Sequence, residues 1–222
     1  MPKVYVSLTG YDYATFERKF KELEKFKITE VCVFLSALNH AHHKHVFEKL
    51  LKSKIKYIPL VHICDKTTKA EIHFFRKNFK TKYFNIHNCS LKDLDKYGEY
   101  AKYILLETHP EVVFNEVLFL KTGGFCIDVA HFWRAKEIQS KDYFQVLKFK
   151  NMKKLFKANH LSGYKKGWGD LHDIKNEKSF EYLKDIPKFV FGDILAIEIM
   201  DTINMQLKVK KYIEKILCLK KK

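Results

Sequence analysis

The chain alternates between short apolar runs and longer segments in which apolar residues recur every three or four positions. Val4–Leu8, Val31–Leu35, Tyr57–Val61, Tyr83–Ile86, Ile104–Glu107, Phe125–Val129, Leu155–Asn159 and Ile194–Ile199 have the length and near-continuous hydrophobicity of buried strands. Helical spacing marks Tyr13–Phe26, His42–Leu51, Lys69–Phe79, Leu91–Tyr100, Glu111–Leu120, a longer stretch running to Phe149, a short one over Phe180–Leu183, and Ile203–Leu217. Strands separated by helices are joined by crossovers, so they lie parallel and are covered by those helices. The alternation repeats eight times in 222 residues. It predicts an α/β fold of the (β/α)8 TIM-barrel type, a single compact domain over residues 1–222 with short loops. No G-x-G-x-x-G follows the first strand, which removes the usual support for an open dinucleotide-binding sheet.

Composition changes this picture little. Hydrophobic residues make up 46% of the chain, enough for a large core, and 8 glycines with 4 prolines leave no candidate linker. The opening MPKVYVSLTG lacks the apolar stretch and small-residue cleavage site of a secretory leader. No run approaches the ~18 apolar residues of a membrane span. The cysteines, Cys32, Cys64, Cys89, Cys126 and Cys218, are odd in number and form no C-x-x-C. They read as reduced thiols of a cytoplasmic protein.

Charge adds more. The formal net charge is +16, and only Arg18, Arg76 and Arg134 are arginines. A basic surface fits a polyanionic partner such as nucleic acid or a phosphorylated substrate. Lysine-rich coding that decorates solvated helix faces gives the same balance, and bidentate phosphate recognition favours arginine.

The most informative pattern is where ligand-type residues fall. YIPLVH ends at His62, YFNIH at His87, ILLE at Glu107 and LFKANH at His160. FCIDVAH supplies Asp128 and His131, the loop GYKKGWGDLHDI holds Asp170 and His172, and ILAIE ends at Glu198. In a (β/α)8 barrel the C-terminal strand ends converge on one face, where active sites are built. Any single histidine there is more often a satisfied polar group than a ligand. Six consecutive strands ending in His, Asp or Glu have no structural reason, because unpaired acids and imidazoles at an apolar rim are costly. Two or three divalent ions remove that cost. Neutral imidazole and carboxylate suit Zn²⁺ first, with Mn²⁺ or Fe²⁺ as alternatives, and a carboxylate such as Glu107 can bridge two ions. Lys165, Lys166 and Trp168 flank the same loop and are candidates to hold a phosphate and stack on a base, against the plainer reading of a solvated loop. His40, His42, His43 and His45 form a tract after the second strand that reads as a solvated helix start more readily than as a metal site. His109 is placed to support the cluster, and His73 falls mid-helix.

These residues resemble the metal-ligand set of the endonuclease IV family, the apurinic/apyrimidinic endonucleases of the xylose-isomerase-like barrel superfamily. The resemblance spans the third to the eighth strand, and D-x-x-H at Asp128/His131 and D-x-H at Asp170/His172 are its most specific parts. It implies a first ion held by His62, His87 and Glu107, a second by Glu107, Asp128, His160 and Glu198, and a third by His131, Asp170 and His172. UV-damage endonucleases share much of the layout, and Lys157 near His160 is reminiscent of their site, but their D-x-H element differs. The segment ICDKTTK after His62 lacks the wedge that family members insert into DNA.

The resemblance implies a metal-dependent phosphodiester hydrolase that nicks damaged duplex DNA at abasic sites, with a metal-activated hydroxide held by Glu107 and oriented by Glu198. The alternative is a metal-dependent sugar or sugar-phosphate isomerase or epimerase, in which Glu107 and Glu198 shuttle a proton beside one ion. A binding or oxidative protein using the cluster with iron is a third class. In each case the chain is expected to be a cytoplasmic monomer with no membrane partner.

Overall fold

The computed structural model describes residues 2–110 and 112–218, and the side chains of all of these except 88–91. Glu111 and the Cys89 side chain, both named above, lie outside the described residues.

Eleven strands form in the described chain: β1 (Lys3–Tyr5), β2 (Ser7–Leu8), β3 (Cys32–Phe34), β4 (Leu60–His62), β5 (Tyr83–His87), β6 (Ile104–Glu107), β7 (Phe125–Asp128), β8 (Phe156–Leu161), β9 (Gly163–Lys165), β10 (Gly169–Leu171) and β11 (Ile194–Ile197). The helices are α1 (Tyr13–Lys25), α2 (His43–Lys52), α3 (Lys69–Phe79), α4 (Glu116–Phe119), α5 (Val129–Glu137), α6 (Lys141–Leu147) and α7 (Ile203–Ile216). Nine strands make one parallel sheet in the order β1-β11-β8-β7-β6-β5-β4-β3-β2. Its two ends, β1 and β2, are consecutive segments separated only by Val6, so the sheet is a nearly closed barrel. Where the chain passes from β1, paired with β11, to β2, paired with β3, Gln206 of α7 bonds the backbone: its Oε1 accepts from the Ser7 N–H at 2.6 Å and its Nε2 donates to the Ser7 carbonyl at 3.0 Å.

Side chains alternate across each strand. One set faces the helices and joins the main core with residues such as Val33, Phe84, Leu106, Ile127 and Leu161. The other fills the lumen with Tyr5, Cys32, Phe34, Leu60, Leu105, Cys126, Ala158, Ile194 and Ala196. Small Cys and Ala side chains leave room there for the rings of Tyr5 and Phe34. Cys32, Cys64, Cys126 and Cys218 are free thiols. Burial pushes the Cys126 thiol up to about 11, so it is un-ionised at neutral pH.

The helices start where short polar side chains cap them. Asp12 accepts from the Thr15 N–H at 2.7 Å, and Thr68 and Glu71 form a reciprocal capping box at α3. Four predicted helices differ from expectation, one of them Phe180–Leu183, which lies within a 3₁₀ segment, Glu177–Asp185. Leu91–Tyr100 falls within a 3₁₀ segment, Asn88–Tyr103, interrupted at Gly98 by a left-handed backbone (φ 55°). The i, i+3 spacing that suggested α-helix serves a 3₁₀ turn equally well. The helix expected over Glu111–Leu120 is confined to Glu116–Phe119, beginning only where Asn115 accepts from the Leu118 N–H. The stretch to Phe149 divides into α5 and α6 at Gln139 (φ 53°). Among the described residues no helix is long and apolar enough to cross a membrane.

Candidate metal centre

The lumen changes character over one step of the alternation. Leu105 precedes Glu107, Cys126 precedes Asp128, Ala158 precedes His160 and Leu60 precedes His62, each pair on one face of its strand. The parallel register aligns His87 with Glu107 and Asp128 with His160, and sets His160 beside Ala196, two residues before Glu198. Six residues from six strand ends thus meet at the C-terminal mouth.

Glu107 is the focus. It is 2% exposed. Its Oε2 lies 3.2 Å from His62 Nε2, and its Oε1 lies 3.2 Å from His160 Nδ1 and 3.6 Å from His87 Nε2. His160 Nδ1 also lies 3.1 Å from Glu198 Oε2. Donor atoms of His62, His87 and Glu107 fall within 4.8 Å of one another, as do those of Glu107, Asp128, His160 and Glu198. His62 and His160 are buried, and both ring nitrogens of each lack a hydrogen-bond partner despite these short approaches. Buried imidazole nitrogens aimed at carboxylates without a properly directed bond are costly, and a shared cation satisfies them. The donors around Glu107 therefore fit a bound cation, whereas His131, Asp170 and His172 do not fall within the same distance of one another as a set.

The electrostatics agree. Burial works against the charged form of Glu107, but His160, His62 and His87 outweigh it and hold the carboxyl well below its usual range. Burial drives His62 down, so its imidazole is neutral and ready to ligate. On His160 burial opposes the charged ring, but neighbours that include the Glu107 and Glu198 carboxylates outweigh it and keep a proton on the ring in the metal-free protein.

Asp128 ends β7 and also caps α5, its Oδ1 accepting from the His131 N–H at 2.9 Å. That cap fixes His131 in the first helical turn, above the strand end. His131 Nε2 lies 3.6 Å from Asp170 Oδ1, and His172 Nε2 lies 2.9 Å from Asp170 Oδ2. His172 Nδ1 donates to the Glu198 carbonyl at 3.0 Å, which orients the ring. Asp170 belongs to a hairpin, β9 paired antiparallel with β10, where a plain loop was expected. Bonds from His131 and His172 hold its carboxyl below the usual range. Burial opposes charge on both histidines, but Asp128 and Asp170 raise His131 to about 10, and Asp170 with Glu198 raises His172 to about 9.

Lys165, Lys166 and Trp168 project at the hairpin tip, with Lys165 Nζ 4.3 Å from the centre of the Trp168 ring, which is 78% exposed. Lys157 lies at a bulge where the register of β8 against β7 shifts. His109 packs against His131, with ring centroids 5.0 Å apart, and His73 bonds to the Tyr100 hydroxyl on the surface.

Sequence reasoning missed Asn85. It is fully buried and donates from Nδ2 to Glu107 Oε2 at 2.6 Å. The available signal was parity: Asn85 stands two positions before His87, on the same face of an otherwise apolar strand. Tyr11, Ser36, Ala37 and Met200 were also missed. They line a cleft of about 220 Å³ with the ligand candidates.

No family model matches the chain, and no curated protein matches it. Among solved structures, the fold is similar to that of SacUVDE, a UV damage endonuclease, at a TM-score of 0.52 and 13% identity, covering 98% of this chain and 99% of that one. At that identity the likeness is one of fold: a nearly closed parallel barrel shared over essentially the whole length of both chains.

Proposed function

We propose that the protein is a metal-dependent phosphodiesterase that nicks duplex DNA at damaged nucleotides, built on an eight-fold xylose-isomerase-like barrel in which Lys3–Leu8 counts as one interrupted strand. The observation that carries this reading is the orphaned set of imidazole nitrogens around the buried Glu107. His62, His87 and Glu107 would hold one ion, Glu107, Asp128, His160 and Glu198 a second, and His131, Asp170 and His172 a third. Nine donors exceed what one ion takes, since zinc sites are filled by about four ligands. Zinc, or manganese or iron in its place, supplies Lewis-acid activation of water and neutralises phosphate charge when bound there.

The chain's own residues do the positioning. Asn85 fixes one oxygen of Glu107 and leaves the other to face His87 and His160. Glu198, on the cleft wall, would orient the attacking water. Lys165 and Lys166 offer charge to a phosphate, and Trp168 offers a face to a base. The abasic site is the first lesion to test, from the endonuclease IV-like ligand set, and a UV photoproduct the second, from the fold shared with SacUVDE.

The test is an oligonucleotide duplex carrying one abasic site, and a second carrying one UV photoproduct, each incubated with and without chelator. Chelator-sensitive nicking of either supports the proposal, and no nicking of both with metal-replete protein overturns it. The small cleft favours a second reading, a metal-dependent sugar or sugar-phosphate isomerase, because about 220 Å³ lies below the ~300–1,000 Å³ common for ligand pockets. That reading predicts one ion per chain and turnover of ketose substrates.

A further inference from the structure

A second group of metal-type donors lies outside the barrel mouth. His40 opens a 3₁₀ turn, His40–His42, after β3, and His43 begins α2. Glu71 stands in the first turn of α3, after β4. His43 Nδ1 lies 2.9 Å from Glu71 Oε1, and His40 Nε2 lies 3.4 Å from Glu71 Oε2. The two rings meet edge to face with centroids 4.6 Å apart. One donor atom from each of the three residues falls within 4.8 Å of the others.

Two features separate this group from a solvated helix start. His43 is 2% exposed, and its Nε2 is buried with no hydrogen-bond partner. Glu71 is held in place before any ligand arrives, because its Oε2 accepts from the Thr68 N–H at 2.7 Å and from the Thr68 hydroxyl at 3.1 Å. The neighbouring histidines do something else: His42 stacks on Tyr13 at 5.4 Å and His45 packs against the same ring at 5.9 Å.

We infer that His40, His43 and Glu71 bind one divalent transition-metal ion, separate from the barrel-mouth cluster. Two imidazoles and one carboxylate suit zinc, cobalt or nickel, with a fourth position left to water. The ion would tie the segment after β3 to the start of α3. Ser36 and Ala37 of that segment line the cleft, so the ion would brace one wall of it. The inference stands independently of the proposed nuclease activity.

The test compares metal-free wild type, His40→Ala and His42→Ala, each titrated with cobalt chloride. Bound cobalt is counted by elemental analysis after gel filtration and followed by visible absorption. His40 is partly exposed, so its removal leaves the core packing in place. The expected result is one equivalent fewer in His40→Ala than in wild type, whatever the barrel mouth holds, and no loss in His42→Ala. Glu71→Gln provides a second removal that keeps the shape of the α3 cap, and it should also lose one equivalent. Equal cobalt counts and spectra in wild type, His40→Ala and Glu71→Gln overturn the assignment.

Discussion

The barrel mouth contains two groups built from the same residue types in different electrical states. Around Glu107, His62 and His160 are buried with unpartnered nitrogens. Around Asp170, His131 and His172 are partly exposed and approach the carboxylate between them at 3.6 and 2.9 Å, and only the buried Nδ1 of His131 lacks a hydrogen-bond partner. The inner group thus leaves four buried ring nitrogens without a hydrogen-bond partner and the outer one leaves one, so a cation has more to satisfy at the inner group. Residue type alone would rank the two groups equally, and burial with hydrogen-bond geometry separates them. Metal affinity and its effect on stability should follow that order.

The strongest challenge to this contrast is Glu107→Gln, which keeps the side-chain shape and removes the shared charge. Nicking should fall by about 10³-fold or more, equivalent to several kcal/mol of transition-state stabilisation, and the ion count should drop at the inner group. Unchanged turnover would remove Glu107 from the centre of the site. Asn85→Ala tests how far the inner group depends on support from below. A loss of about 10- to 100-fold in metal affinity or rate is expected, as for other groups that orient a ligand, with the fold intact by circular dichroism.

His131→Ala should act on the outer group alone. One ion weakens while the inner ions stay, and activity falls by less than in Glu107→Gln. Elemental analysis of the variant decides this, since loss of all ions together would show the two groups to be one cooperative unit.

The pH dependence sharpens the same distinction. In the metal-free protein His131 is held up to about 10 and His172 to about 9, both above the ordinary value of 6.5. Their pairing with carboxylates therefore contributes stability that is fully present below about pH 6.5 and disappears as pH rises through 9 to 10. An ion entering the outer group must displace those protons, so its affinity should rise with pH over that range. Burial has already made His62 neutral, so no proton has to leave it, whereas His160 keeps a proton that an ion entering the inner group must also displace. A competition titration against a chelator at several pH values measures the difference.

Much of this organisation was legible in the sequence because strand parity is unforgiving. Once the ends of the apolar runs are located, the period of two places His62, Glu107, Asp128 and His160 on the lumen side. The parts that were not legible depend on groups distant in the chain. The first strand breaks at Val6 because an amide from α7, some two hundred residues later, takes the Ser7 peptide. Asn85 looks like an ordinary strand polar residue until Glu107 is seen beside it. The 3₁₀ segment Asn88–Tyr103 shares its apolar spacing with an α-helix, and only its tighter backbone, interrupted at Gly98, distinguishes them. His43 lies in a tract that reads as solvated, and its burial becomes visible only when Glu71 and α3 close over it.

The smallest expected effect lies at the tip of the hairpin that carries Asp170. Lys165, Lys166 and Trp168 stand clear of both ligand groups, so changing them should leave every ion in place. If the tip meets DNA, the double variant Lys165→Ala/Lys166→Ala weakens binding uniformly across sequences. It also flattens the dependence of log affinity on log salt by about 0.9 for each phosphate that is no longer neutralised. Trp168→Ala should instead cost about 1–3 kcal/mol of stacking with little change in that slope. The lysine and tryptophan effects are separable because one is charge neutralisation and the other is stacking on a base. Fluorescence anisotropy on a damaged duplex at several salt concentrations distinguishes them. If both variants bind like wild type, substrate recognition is confined to the cleft itself, and the outer group serves only to complete the metal centre.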